Sequence, residues 1–266
     1  VNLFLENFIL LCSYCFHPFV YSFFQKCKEL VYNLYQTQVE SHRNMWEFIL
    51  LGLSYDQNIQ IFCFIFFFFF RCLALLVGNL LILVSIQCSP LCSQPMYYFL
   101  SHLSFIDICY TSSVTPKLIG DLLAERKTIS YGNCMLQVLI MHFFGGTEIF
   151  ILTAMAFDRY VAICKPLHYV VIMNRMWWNL PLLAAWAVGA VHALPQFFTA
   201  IRLPFCGPNE LNHYFCDIFP LLKIACTDIY INGILVIAFA GMTALLIFAV
   251  LSVSYGIILF SLKNHS

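Results

Sequence analysis

Three ionisable side chains stand inside apolar runs, where a charge at membrane depth costs about 2.5 to 3.5 kcal/mol on the insertion scale and needs a reason to be there. Asp107 lies in SHLSFIDICY, Glu148 in HFFGGTEIF and Arg71 in IFCFIFFFFFRCLALLVGN. Two carboxylates facing each other in low dielectric cannot both stay ionised unaided. On neighbouring helices, Asp107 and Glu148 could therefore share a cation such as Na+ or a proton. The alternative is that each only bonds to Ser or Asn across a helix bundle. Arg71 has no acidic partner near it in sequence. It snorkels, reaches Asp107 or Glu148, or damages a span that was once better.

His142, Gly145, Gly146 and Ile149 follow the i, i+3, i+4, i+7 rhythm of one helix face. Small residues there suit either close helix packing or the wall of a ligand pocket between helices. The 13 cysteines are scattered, without the paired spacing of a zinc site, and most read as small apolar packing residues. Cys134, Cys206, Cys216 and Cys226 fall in segments expected outside the cell, where thiols oxidise. Four thiols allow three pairings. A Ser-His-Asp elbow, a phosphate loop and a two-His zinc helix are all absent from the sequence, so enzymatic catalysis has no constellation to stand on.

These residues must be positioned by elements that suit lipid. The chain is 62% hydrophobic and only 10% charged, against roughly 25% charged in an average soluble domain, which excludes a soluble core. With 13 basic and 13 acidic side chains the net charge is zero, so no cationic field exists to hold a nucleic-acid backbone. Crossing about 30 Å of hydrocarbon takes about 20 apolar residues in a helix. Five stretches reach that length, at about 59–86, 97–123, 134–164, 178–198 and 231–262. An apolar stretch over 1–24 also holds Glu6, His17 and Pro18, and is either a weak sixth span or sequence foreign to the fold. The link after the third span carries Arg159, Lys165 and Arg175 against Asp158. It is therefore expected on the cytoplasmic side, with the C-terminal end on the same side. The fold class expected is an all-α membrane protein, a helical bundle.

Several motifs then point to a family. PMYYFLSHLSFIDICYTSSVTPKLI, MAFDRYVAICKPLHY, the Gly78-Asn79 pair and SYGIILFSLKNHS closely resemble vertebrate olfactory receptors, which are rhodopsin-like, seven-helix G protein-coupled receptors. The resemblance covers about residues 47–266 and leaves 1–46 as an atypical N-terminal extension. It implies that Asp158, Arg159 and Tyr160 form the cytoplasmic DRY motif, whose Arg inserts toward the G protein in the active state. Tyr255 matches a fifth-helix tyrosine that approaches that Arg. Asp107 and Glu148 match the family's interior cation site, Cys134 would pair with Cys216, and Cys206 with Cys226. The odorant pocket would be lined by Met141, His142, Gly145, Gly146, Phe239 and Thr243.

The resemblance also implies an activity: binding of a small, mostly apolar odorant and transmission to a stimulatory G protein that raises cyclic AMP, from a multi-pass position in the plasma membrane. No metal, catalytic residue or organic cofactor is implied. The family continues beyond the position of Ser266 into a sixth and a seventh helix. The expectation is therefore a receptor lacking helices six and seven, with impaired signalling. The rival expectation is a non-signalling relic or fragment that associates with intact receptors in the endoplasmic reticulum. A transporter is disfavoured by the lack of an internal repeat with matched broken helices.

Overall fold

The computed structural model describes residues 47–51, 57–66, 74–124, 126, 127–172, 175–205, 209–226 and 229–265. Strand β1 (Glu47–Leu50) is followed by helices α1 (Gln57–Phe66) and α2 (Gly78–Gln87), which both fall in the first apolar span. Helix α3 (Pro95–Leu123), strand β2 (Thr128–Ser130) and helix α4 (Tyr131–Cys164) come next. The short α5 (Tyr169–Ile172), the long α6 (Arg175–Arg202), strand β3 (Glu210–Leu211), α7 (Ile218–Lys223) and α8 (Ile229–His265) complete the order. Arg71 lies outside the described residues, as do residues 1–46.

Local chemistry sets several of these boundaries. Gln94 is extended, at φ −105° and ψ 133°, and Pro95 then opens α3 at the position where a missing N–H costs nothing. Pro166 follows the end of α4 by two residues. Because a residue before proline avoids the helical region, Lys165 leaves it, at φ −137° and ψ 53°, and the helix stops. Two apolar helices, Tyr131–Cys164 and Trp177–Arg202, are by themselves long enough to cross a membrane by length and composition.

The chain divides into two compact units. One contains the residues described within 1–73, 111–141 and 196–229. Its feature absent from a purely helical expectation is a three-stranded sheet with β1 in the middle, antiparallel to β2 and parallel to β3. Alternation explains it: Phe48 and Leu50 are buried while Glu47 faces out. The Phe48 ring lies 6.2 Å from that of Tyr131 and 5.4 Å from that of Phe205, edge-on to the latter. Cys134 and Cys216, both fully buried, are joined by a disulfide with their Cα atoms 5.3 Å apart.

The other unit contains residues 74–110, 142–195 and 230–266. Trp186 of α6 sits at its centre, its ring 5.7 Å from Phe143, 6.3 Å from Phe144 and 6.4 Å from Phe105. Further along, the Tyr98 hydroxyl donates to Asn179 Oδ1 at 3.0 Å and ties α3 to α6. Leu245, Phe248 and Phe260 of α8 and Leu81 of α2 are exposed, an arrangement suited to hydrocarbon as solvent.

Candidate functional site

The acidic pair comes first. Asp107 on α3 accepts a hydrogen bond from the Asn79 side chain on α2, and the Glu148 carboxyl on α4 lies within electrostatic reach of Asp107. Both carboxylates are half-buried. Two acidic oxygen donors with a neutral amide beside them form a hard-oxygen set suited to a small cation. Among the described residues, no group of three or more His, Cys, Asp or Glu converges as a metal site.

The helix face around His142 has a different character. A β carbon on Gly146 would lie 3.3 Å from the Gly189 Cα and 3.3 Å from the His192 side chain. Gly146 is thus a contact point with α6, and close packing through small residues explains it. Of the two alternatives for this face, close packing is the one the Gly146 contact supports. Gly145 has open space at its Cα instead. The His142 and His192 rings stand 5.9 Å apart, one turn from the glycine contact. Met141 is half-buried and precedes His142 on α4. Phe239 and Thr243 belong to α8, but their side chains lie outside the described ones.

Near the end of α4, Asp158 is buried at 2% exposure, whereas its neighbour Arg159 is exposed and Tyr160 half-buried. The Tyr169 hydroxyl donates to Asp158 Oδ1 at 2.9 Å. Burial, followed by the hydrogen bond and the negative charge of Asp158, pushes the Tyr169 phenol up from 10.0 to about 12. The hydroxyl therefore stays protonated and able to donate at any physiological pH. Tyr255 is exposed on α8.

In the disulfide-bearing unit, Gln137 lies one turn along α4 from Cys134. Its Oε1 accepts the Cys216 amide N–H at 2.9 Å, and its Nε2 donates to the Ser113 carbonyl at 3.5 Å. Cys226 is also disulfide-bonded, while Cys206 lies outside the described residues. Gln137, Gly189, His192 and Thr147 are absent from the residues singled out by sequence reasoning. Each acts across elements, so no local spacing marks it.

Comparison with known proteins decides the family. The olfactory receptor family model matches residues 62–264. The chain belongs to the olfactory receptor family. It is 55% identical over 228 residues to human olfactory receptor 4S2, which covers 86% of this chain and 73% of the relative. Human olfactory receptor 4X2 is 50% identical over 222 residues, 84% of this chain and 73% of the relative. Mouse olfactory receptor 4E2 is 50% identical over 220 residues, 83% and 71% respectively. Olfactory receptors are multi-pass plasma membrane proteins that detect odorants through G protein-coupled signalling, and they are not enzymes. They work without a resident cofactor. The likeness lends no support to retention in the endoplasmic reticulum.

Proposed function

We propose that the receptor carrying these residues binds a small, volatile, apolar odorant and activates a stimulatory G protein, raising cyclic AMP. The observation that carries the reading is the contrast between Asp158 and Arg159 in the DRY motif. Asp158 is buried and hydrogen-bonded to Tyr169, while Arg159 stands exposed for a partner. An exposed guanidinium is a strong donor to backbone carbonyls and carboxylates of a docked protein. Tyr160 and Tyr255 are assigned to the same coupling surface.

Ligand binding is assigned to Met141, His142, Gly145, Gly146, Phe239 and Thr243. Gly145 supports it through the open space at its Cα. A pocket with a few polar groups among apolar walls favours apolar ligands and fixes their orientation with the polar ones. Asp107 and Glu148 are assigned to a Na+ site, supported by their electrostatic contact and the Asn79 hydrogen bond. Cys206 and Cys226 are assigned as a second disulfide, and residues 47–266 as the receptor domain with 1–46 as an extension.

The test is cyclic AMP accumulation in cells displaying this receptor at their surface, challenged with volatile odorants. The reading expects an odorant-dependent rise that Arg159→Ala removes. A rise that survives Arg159→Ala contradicts the assigned coupling, and a response carried by an inhibitory G protein contradicts the assigned partner.

A further inference from the structure

The link between α6 and α8 is fastened within its unit in two ways of unequal strength. At Cys216 the fastening is covalent, through the disulfide to Cys134 near the head of α4, and Gln137 holds the same residue by its amide. Nearer the start of the link, residues 209–211 are fastened by strand β1. Ile49 donates to the Asn209 carbonyl at 2.7 Å and Leu51 to the Leu211 carbonyl at 2.9 Å, whereas Leu50 between them donates to the Lys127 carbonyl at 2.7 Å. Asn209 Nδ2 returns a bond to the Glu47 carbonyl at 3.0 Å. Among the described residues, β2 and β3 pair with β1 and not with each other. Two residues are too few for a strand to stand alone, so β3 depends on β1. The buried Phe48 ring also packs on Phe205, which bridges to Ala225, and the Cys226 amide donates to the Pro204 carbonyl at 2.8 Å. Strand β1 therefore bears on both ends of the link as well as on β3.

We propose that β1 is a releasable strap: it holds residues 209–211 in place, and its parting from β3, with the Cys134–Cys216 bridge as the fixed end, opens access from outside the cell to α4, where Met141 lies about two turns beyond Cys134. The bonds that part are a few hydrogen bonds at half-buried residues, Ile49 and Asn209 among them, and such bonds open locally at far lower cost than a disulfide breaks. The inference rests on the ligand-binding role assigned to Met141, and its test separates the two.

Ile49→Pro deletes the amide that bonds to Asn209 and leaves the Leu50 bond to the β2 side, and the extended conformation of Phe48 suits a residue before proline. In the purified receptor in lipid nanodiscs, amide hydrogen exchange over residues 209–211 is expected to quicken about fivefold, the scale of one lost hydrogen bond. Access is read with a thiol at the assigned site. On intact cells displaying Met141→Cys, the charged reagent methanethiosulfonate ethyltrimethylammonium is added outside, and the rate in the receptor that keeps Met141 is subtracted. Adding Ile49→Pro is expected to speed the reaction about fivefold, in step with the amide exchange. Asn209→Ala, which removes only the side-chain donor to Glu47, is expected to speed it about twofold and serves as the test where Ile49→Pro does not reach the surface. Unchanged amide exchange over 209–211 overturns the strap. Faster amide exchange with an unchanged thiol rate overturns its control of access, since a merely structural strand would give that result. If instead no volatile compound raises cyclic AMP in the unaltered receptor, the ligand-binding reading fails, while the thiol rate still decides the strap.

Discussion

Gly189 of α6 lies so close to Thr147 of α4 that a β carbon there would fall inside the Thr147 hydroxyl and 2.8 Å from the Phe143 carbonyl oxygen. Thr147 is fully buried, and its Oγ1 is already donating to that carbonyl at 2.8 Å, so the hydroxyl cannot turn aside without leaving a buried group unpaired. Gly189→Ala is expected to destabilise the folded receptor by about 1 to 3 kcal/mol, the range for overpacking, and to lower its thermal midpoint in detergent. Gly145→Ala, with nothing within 4 Å of the added methyl, is expected to stay within about 0.5 kcal/mol of the unaltered receptor.

The fold class was legible because lipid solvation leaves a simple signature: long apolar runs broken by short polar links. Motifs such as MAFDRYVAICKPLHY carried the family, since their length makes chance agreement negligible. The sheet was not legible. Glu47–Leu50 is only four residues long, and its partners lie about 80 and 160 positions away; only tertiary packing brings them together. At the helix face, sequence left packing and pocket as alternatives for Gly146, because both need small residues. The Gly189 and His192 contacts that support packing lie on α6, and no spacing along α4 reveals them. Tyr169 lay in the motif that carried the resemblance, yet its bond to Asp158 depends on the turn made at Pro166.

The Cys134–Cys216 bridge closes a separation of 82 residues, for which the chain-entropy model gives about 4 to 5 kcal/mol. Cys216→Ser is expected to remove most surface-displayed receptor, measured by antibody staining of intact cells. Gln137→Met leaves the buried Cys216 amide without its acceptor and is expected to cost about 1 to 3 kcal/mol in thermal unfolding while the disulfide persists.

Sodium is expected to stabilise the purified receptor against heat relative to an equal concentration of potassium. At ten times its dissociation constant the gain is about 1.4 kcal/mol. Glu148→Gln and Asp107→Asn are each expected to abolish the difference between the two salts. An equal sodium effect in all three proteins removes the ion from this pair.

Tyr169 offers a pH signature. Its phenol is raised in the folded protein to about 12 from 10.0. Its contribution to stability is thus fully present below about pH 10 and is lost as pH rises through about 12. The absorbance difference between the unaltered receptor and Tyr169→Phe at the tyrosinate band is expected to rise near pH 12. A midpoint near 10 contradicts the hydrogen-bonded, protonated state.

The central claim, an odorant receptor that signals through Arg159, is tested most directly by cyclic AMP in odorant-stimulated cells with surface display confirmed in the same cells. The account predicts a concentration-dependent rise for at least one volatile apolar compound, abolished by Arg159→Ala at equal surface density. A rise of the same size in cells displaying Arg159→Ala would contradict it.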